Sequence, residues 1–143
     1  MKADTKYKTF EDLSVWKKAK DLVLKIYHCT KSFPKEELYN LTSQTRRSAL
    51  SITANIAEGF GRYHYLDKNK FYYNARGSLE ELRSHLIISR ELLYVSNDIF
   101  SELKNLLNEI AEELRESGVK VNRDWLDRDE LEILRKEDEL EEL

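Results

Sequence analysis

The sequence is poor in the residues that break a chain or staple it. One proline and four glycines among 143 residues leave little room for a loop-rich or sheet-rich fold. The only cysteine, Cys29, excludes an internal disulfide. The longest unbroken apolar run is Leu92 to Val95, far too short to span a membrane. The opening MKADTKYKTF lacks the apolar stretch of a secretory leader, so a reducing, cytoplasmic setting is expected. A chain of this length makes one domain whose core needs no metal or disulfide.

What is present is helical periodicity. Apolar residues recur three and four apart throughout, which predicts an all-α domain. Helix 1 is expected from about Glu11 to Phe33, with a stripe of Leu13, Trp16, Val23, Ile26, Thr30 and Phe33, widened by Val15, Ala19 and Leu22; Pro34 marks its end. Helix 2 is expected to start near Lys35 to Glu37 and to carry Leu38, Leu41, Thr45, Ala49, Ile52, Ile56 and Gly59 inward. Asp67 is a candidate N-cap for helix 3, whose stripe of Phe71, Ala75, Leu79, Leu82, Leu86 and Leu93 runs to about Val95. Asn97 or Asp98 can cap helix 4, with Ile99, Leu103, Leu106, Ile110 and Leu114 inward and Gly118 as its stop. Short connections make neighbouring helices antiparallel, so the expected fold is an up-down-up-down four-helix bundle over residues 1–118. Residues 119–143 read as an acidic C-terminal extension holding a short, loosely attached helix, with Leu131 and Leu134 on one face and Glu132 paired with Lys136.

Charge is unevenly spread. Residues 1–96 carry 17 Lys/Arg against 11 Asp/Glu, and residues 97–143 carry 7 against 16. That asymmetry points to an anionic partner for the first part, or to an acidic tail folding back on it. Lys17, Lys18, Lys20 and Lys25 on helix 1, with Arg46 and Arg47 on helix 2, are the candidate nucleic-acid-binding residues; Lys31 and Lys35 extend the same positive face. Tyr27, Tyr39, Tyr63, Tyr65, Tyr72 and Tyr73 supply rings that can stack on bases or pack inward. The tail beyond Asn122, with ten Asp/Glu against four Lys/Arg, is a candidate competitor for that face, or a helix packing Trp125 and Leu134 on a neighbouring subunit.

The stretch SITANIAEGFGRY, residues 51–63, is unusual in its small side chains and two glycines. Small residues allow close approach of a neighbouring helix. Gly59 is expected at C′ in a left-handed conformation that closes helix 2, with Phe60 packing back on the last turn. Glu58 needs a cationic partner, Arg62 or Arg76, and Asn55 needs a polar one beside the Ile52 and Ile56 stripe. Ser78 and Glu81 repeat the Ser-x-x-Glu pattern of a capping box and suggest a kink at Gly77.

Three segments in order, FEDLSVWKKAKDLVLKIY at residues 10–27, NIAEGFGR at 55–62 and ARGSLEEL at 75–82, resemble the four-helix-bundle family of 23S rRNA-intervening-sequence proteins. That family includes the accessory variability proteins of diversity-generating retroelements, ring-shaped homopentamers with a basic surface that act with a reverse transcriptase and nucleic acid. The resemblance implies a homopentamer in which Asn55, Glu58, Gly59, Arg62, Gly77, Ser78 and Glu81 occupy recurring structural positions, with RNA or DNA and a reverse transcriptase as partners. It implies no catalytic activity and no cofactor. The acidic tail departs from the family pattern.

Enzyme chemistry fits poorly. A carboxylate-bridged di-iron bundle needs Glu-x-x-His on two helices, and no such pair exists, since Glu81 and His85 are four apart. Arg83 and Arg76 precede His85 by spacings that do not share a helix face, unlike the Arg and His of helical ribonucleases. Cys29 has His28 pointing about 100° away around the helix. The expectation is a non-enzymatic bundle with no metal site that binds nucleic acid, or alternatively a protein-interaction scaffold.

Overall fold

A capping box opens the fold. The Thr9 hydroxyl accepts the Glu11 N–H, while the Asp12 carboxylate accepts the backbone N–H of Lys8 and Thr9 at 2.9 and 3.2 Å. These donated hydrogen bonds hold the Asp12 carboxyl below its ordinary value. The computed structural model describes residues 7–118 and 128–141. Its α-helices are α1 (Ser14–Thr30), α2 (Ser43–Gly61), α3 (Tyr65–Glu91), α4 (Asn97–Gly118) and α5 (Arg128–Glu141), with no strand among the described residues.

The first four helices share one core. It is built from Val15, Ala19, Leu22 and Ile26 of α1, Ala49, Ile52 and Ile56 of α2, Ala75, Leu79, Leu82 and Leu86 of α3, and Phe100, Leu103, Leu107, Ile110 and Leu114 of α4. Fully burying each large aliphatic contributes about 1.5–3 kcal/mol. Packing runs α1 on α2, α2 on α3, α3 on α4 and α4 on α1. The α1 stripe is rotated from the expected one: Val15, Ala19 and Leu22 form the deep line, whereas Leu13, Trp16 and Val23 pack at its edge. Likewise Phe100 and Leu107 are buried in α4, while Ile99 is exposed and Leu106 is half-buried. A helix packed between two neighbours buries the line facing both, and neighbouring lines three and four apart look equally good in sequence.

Several boundaries also differ. Helix 1 ends at Thr30, and Phe33 reaches the core from the turn beyond. The segment expected to begin helix 2 is instead a 3-10 turn at Lys35–Glu37 and a wide turn at Leu38–Thr42, leaving Leu38 exposed; Glu37 accepts the Leu41 N–H at 3.3 Å. Ser96, rather than Asn97 or Asp98, caps α4 by accepting the Ile99 N–H at 3.2 Å. At the start of α3, His64 holds the N-cap position and Asp67 lies in the first turn. Leu93, expected in the core, is 89% exposed with φ of 64°, because the Tyr94 N–H returns to the Ser89 carbonyl at 2.9 Å and reverses the chain there.

Gly59 is no left-handed stop. Helix α2 runs through it to Gly61, no described glycine has positive φ, and the chain leaves at Arg62 in an extended conformation. Nor does Gly77 kink α3, which is continuous for 27 residues. Gly59 reads as punctuation in the sequence because a stop and a close contact have the same local signature.

Candidate nucleic-acid interface

The six candidate cations fall into three groups. Lys18 is tied to α4, with Nζ 2.6 Å from Glu113 Oε1 and 3.7 Å from Glu109 Oε2. Lys25 reaches Glu102 Oε1 at 2.5 Å. Each ammonium is held above the ordinary lysine value, first by its hydrogen bond, to Glu113 and Glu102 respectively. Arg46 is half-buried and architectural. Its Nε donates to Thr30 Oγ1 at 2.9 Å, and its guanidinium lies 4.8 Å from the centre of the Tyr27 ring, joining the start of α2 to the end of α1. Lys17, Lys20 and Arg47 are exposed and form no ion pair among the described residues, although Lys20 sits 5.9 Å from the Trp16 ring centre. Lys31 and Lys35 are also exposed. One continuous positive face is thus reduced to a sparser set of available cations, because the acidic outer face of α4 neutralises the side of α1 next to it.

The expected rings separate in the same way. Tyr39, Tyr63 and Tyr73 are well exposed, Tyr27 lies under Arg46, and Tyr72 packs against the core; Trp125 and the side chains of Tyr65 and Leu134 lie outside what the structure describes.

Of the seven positions of the recurring motif, Asn55, Gly59 and Ser78 lie at the α2–α3 seam. Adding a Cβ at Gly59 would bring it 2.9 Å from Tyr72 Cε1 and 3.2 Å from Phe71 Cβ, so the glycine is required by the approach of α3. Ser51 Oγ and Ser78 Oγ share a hydrogen bond of 2.7 Å across the seam. Asn55 Nδ2 donates to the Ser51 carbonyl at 2.8 Å and to Ser51 Oγ at 3.2 Å. Glu58 pairs with Arg62 at 3.3 Å rather than with Arg76, whose guanidinium faces the Tyr73 ring. Glu81 stands 3.5 Å from His85 Nε2, an i,i+4 pair rather than a cap partner for Ser78. Gly77 is exposed, and a Cβ added there would meet no atom within 4 Å.

Local bonding explains how so polar a helix can be buried. Thr45 and Ser48 donate to the carbonyls of Leu41 and Thr45 at 2.6 and 3.0 Å, so their buried hydroxyls are satisfied within the helix and its preceding turn. On the chemistry of the other candidates, burial pushes the Cys29 thiol up to about 11, and its Sγ donates to the Ile26 carbonyl at 3.5 Å. A thiol in that state keeps its proton at neutral pH. Among the described residues, no three His, Cys, Asp or Glu side chains are grouped to hold a metal ion, and no helix is long and apolar enough to cross a membrane.

Two contacts had no signal in the sequence. Lys68 Nζ donates to the last carbonyls of α2, Phe60 at 2.9 Å and Gly59 at 3.4 Å, and burial lowers its pKa. Helix α5 touches the bundle through Glu130, buried at 5% exposure, whose Oε1 is 3.2 Å from His64 Nδ1. Within α5, Glu132 pairs with Arg135 at 2.7 Å rather than with Lys136 as expected.

A family model described as 23S rRNA-intervening sequence protein matches residues 11–116. Among solved structures, the chain is similar to a protein with unknown function from the S23 ribosomal protein family of Bacteroides thetaiotaomicron VPI-5482, determined by crystallography at 1.70 Å resolution. The TM-score is 0.69 at 20% identity, over 74% of this chain and 99% of that one. At that identity the likeness establishes the fold alone. No curated protein matches the sequence.

Proposed function

The chain belongs to the 23S rRNA-intervening sequence protein family, and from that premise we propose that it is a non-enzymatic, cytoplasmic accessory protein that holds RNA or other nucleic acid on a basic surface of a homo-oligomer, a pentamer by the resemblance to ring-forming relatives. The order of the contacts supports an up-down-up-down bundle. Arg46 meets Thr30, Ser51 meets Ser78, Arg83 meets Asn108 at 3.1 Å, and Lys18 and Lys25 meet Glu113 and Glu102 in reverse sequence.

The observation that carries the binding reading is the division among cations. Lys17, Lys20 and Arg47 remain exposed and without ion pairs among the described residues, while Lys18, Lys25 and Arg46 serve the bundle. Three cations on one chain attract a polyanion weakly; repeated around a ring their fields add. Binding of a fluorescent single-stranded RNA, followed by anisotropy across a salt series, tests this. Affinity should fall linearly in log[salt], and the triple variant Lys17→Glu, Lys20→Glu, Arg47→Glu should lose binding while light scattering reports an unchanged oligomer. No binding at low salt, or a salt-insensitive affinity, rejects the reading; a monomer rejects the assembly. Arg46 is left intact because its replacement would disturb the α1–α2 junction.

A second reading, a protein-interaction scaffold such as one for a reverse transcriptase, is favoured by the shallow apolar groove between α1 and α4, lined by Leu24, His28, Cys29, Ile99 and Leu103. Leu24 and Ile99 are 61% and 41% exposed there.

A further inference from the structure

The connector between α2 and α3 is three residues long, and its backbone is extended at Arg62 (φ −82°, ψ 137°) and at His64 (φ −80°, ψ 138°). The Arg62 and His64 side chains, each about half exposed, both reach back to contact neighbouring elements. The Arg62 guanidinium lies 4.7 Å from the Phe71 ring centre and pairs with Glu58, and His64 Nδ1 meets Glu130. Tyr63 between them is directed outward and is 77% exposed. The His64 ring meets it edge-on, with centroids 5.2 Å apart and an interplanar angle of 87°.

An isolated exposed ring is ordinary. This one differs in its setting. It stands on a three-residue connector whose other two side chains, Arg62 and His64, each contact the protein. Its neighbours carry both signs of charge: Arg62 paired with Glu58, exposed Asp67, Lys68 over the Phe60 ring at 5.5 Å, and exposed Lys70. Because the start of α2 meets the end of α1 through Arg46 and Thr30, the last turn of α2 lies at the end of the bundle where α1 begins. That is where Lys17 and Lys20 stand.

We propose that Tyr63 is a stacking platform for an unpaired base of single-stranded nucleic acid, with Arg62, Lys17 and Lys20 attracting the phosphates on either side. This rests on the nucleic-acid reading and sharpens it, since a stacking ring selects unpaired bases and gains nothing from a duplex whose bases are already stacked. Glu130 of the acidic α5 reaches His64 at the edge of the same site.

The test compares wild type, Tyr63→Ala and Tyr63→Phe, using fluorescent oligo(U) of about 12 nucleotides and, as a base-free polyanion, inorganic polyphosphate as competitor. Tyr63→Ala should weaken oligo(U) binding about tenfold and leave polyphosphate binding unchanged, Tyr63→Phe should bind like wild type, and a duplex of the same length should be insensitive to both variants. Thermal melts of the variants should match wild type because the ring is exposed. Equal oligo(U) affinity for wild type and Tyr63→Ala overturns the stacking site while leaving the basic surface intact. Parallel losses for oligo(U) and polyphosphate also overturn it, because the residue then acts through charge or fold. Wild-type protein that binds neither polyanion overturns the nucleic-acid reading itself, and the stacking site with it.

Discussion

Two seams of the bundle are held in opposite ways. Between α2 and α3 the contact depends on small volume: Gly59 lies under Phe71 and Tyr72, and Ser51, Asn55 and Ser78 share short hydrogen bonds at the crossing. Between α1 and α4 the interior is aliphatic, and the margin is closed by Lys18 with Glu113 and Glu109 and by Lys25 with Glu102. The first seam has no slack, since protein interiors pack densely and an added methyl must displace something. The second is closed by long side chains that are partly or well exposed, and each such pair contributes little because water and salt screen it. Sensitivity to substitution should therefore follow volume in one seam and ionic conditions in the other.

The largest effect expected is at Gly59. Gly59→Val should destabilise by about 2–3 kcal/mol, because the added carbons meet Phe71 and Tyr72 at contact distances that do not fit. The matched control is Gly77→Ala, mid-helix in α3 with open space around it, which should stabilise by about 0.5–1 kcal/mol through reduced freedom of the unfolded chain. Urea denaturation of both reads the contrast. Similar effects of the two substitutions would show that the α2–α3 seam has room to relax.

Next is the hydroxyl pair. Ser51→Ala or Ser78→Ala alone should cost about 1 kcal/mol by leaving the other hydroxyl short of its partner, and the double variant should cost less than the sum. Additive losses in a double-mutant cycle would mean that the 2.7 Å contact does not couple the helices.

Smallest is the charged margin of α1 and α4. Lys25→Met should lower stability slightly at low salt, and the difference should disappear at high salt. The pH dependence has a definite sign. The Lys18 and Lys25 ammonium groups titrate above the ordinary lysine value of 10.5 in the folded chain, so their contribution is fully present below that value and is lost as pH rises through the raised folded values. An alkaline denaturation series should thus show the wild type converging on Lys25→Met, whereas Ser51→Ala keeps its offset from wild type over the same range. A deficit of this variant that survives both salt and alkali would show that it does not arise from the Lys25–Glu102 ion pair.

The resemblance visible in three short segments is matched by the family model over residues 11–116, which spans the four bundle helices almost completely. Helix number and the break near Pro34 were legible because periodicity and chain-breaking residues are local properties. The candidate surface was legible only as an inventory. The run of lysines on α1 gave no hint that Lys18 and Lys25 would be occupied, since Glu113 and Glu102 lie 95 and 77 residues away in the chain. Tyr63 stood out as one ring among several, and only the extended connector and the anchoring of Arg62 and His64 distinguish it.

By itself the sequence determined that this protein is helical, where most of its helices lie, and that small residues gather before Arg62, because backbone propensity and the 3.6-residue repeat act within a few turns. Tertiary structure decided which apolar line faces inward, so that Val15 and Leu107 are buried while Ile99 is exposed. It also decided that Gly59 is a contact within a helix instead of its end. A glycine at a helix end and a glycine under a neighbouring ring are alike in sequence; the difference is the aromatic ring that α3 brings to within 2.9 Å of where a side chain would start.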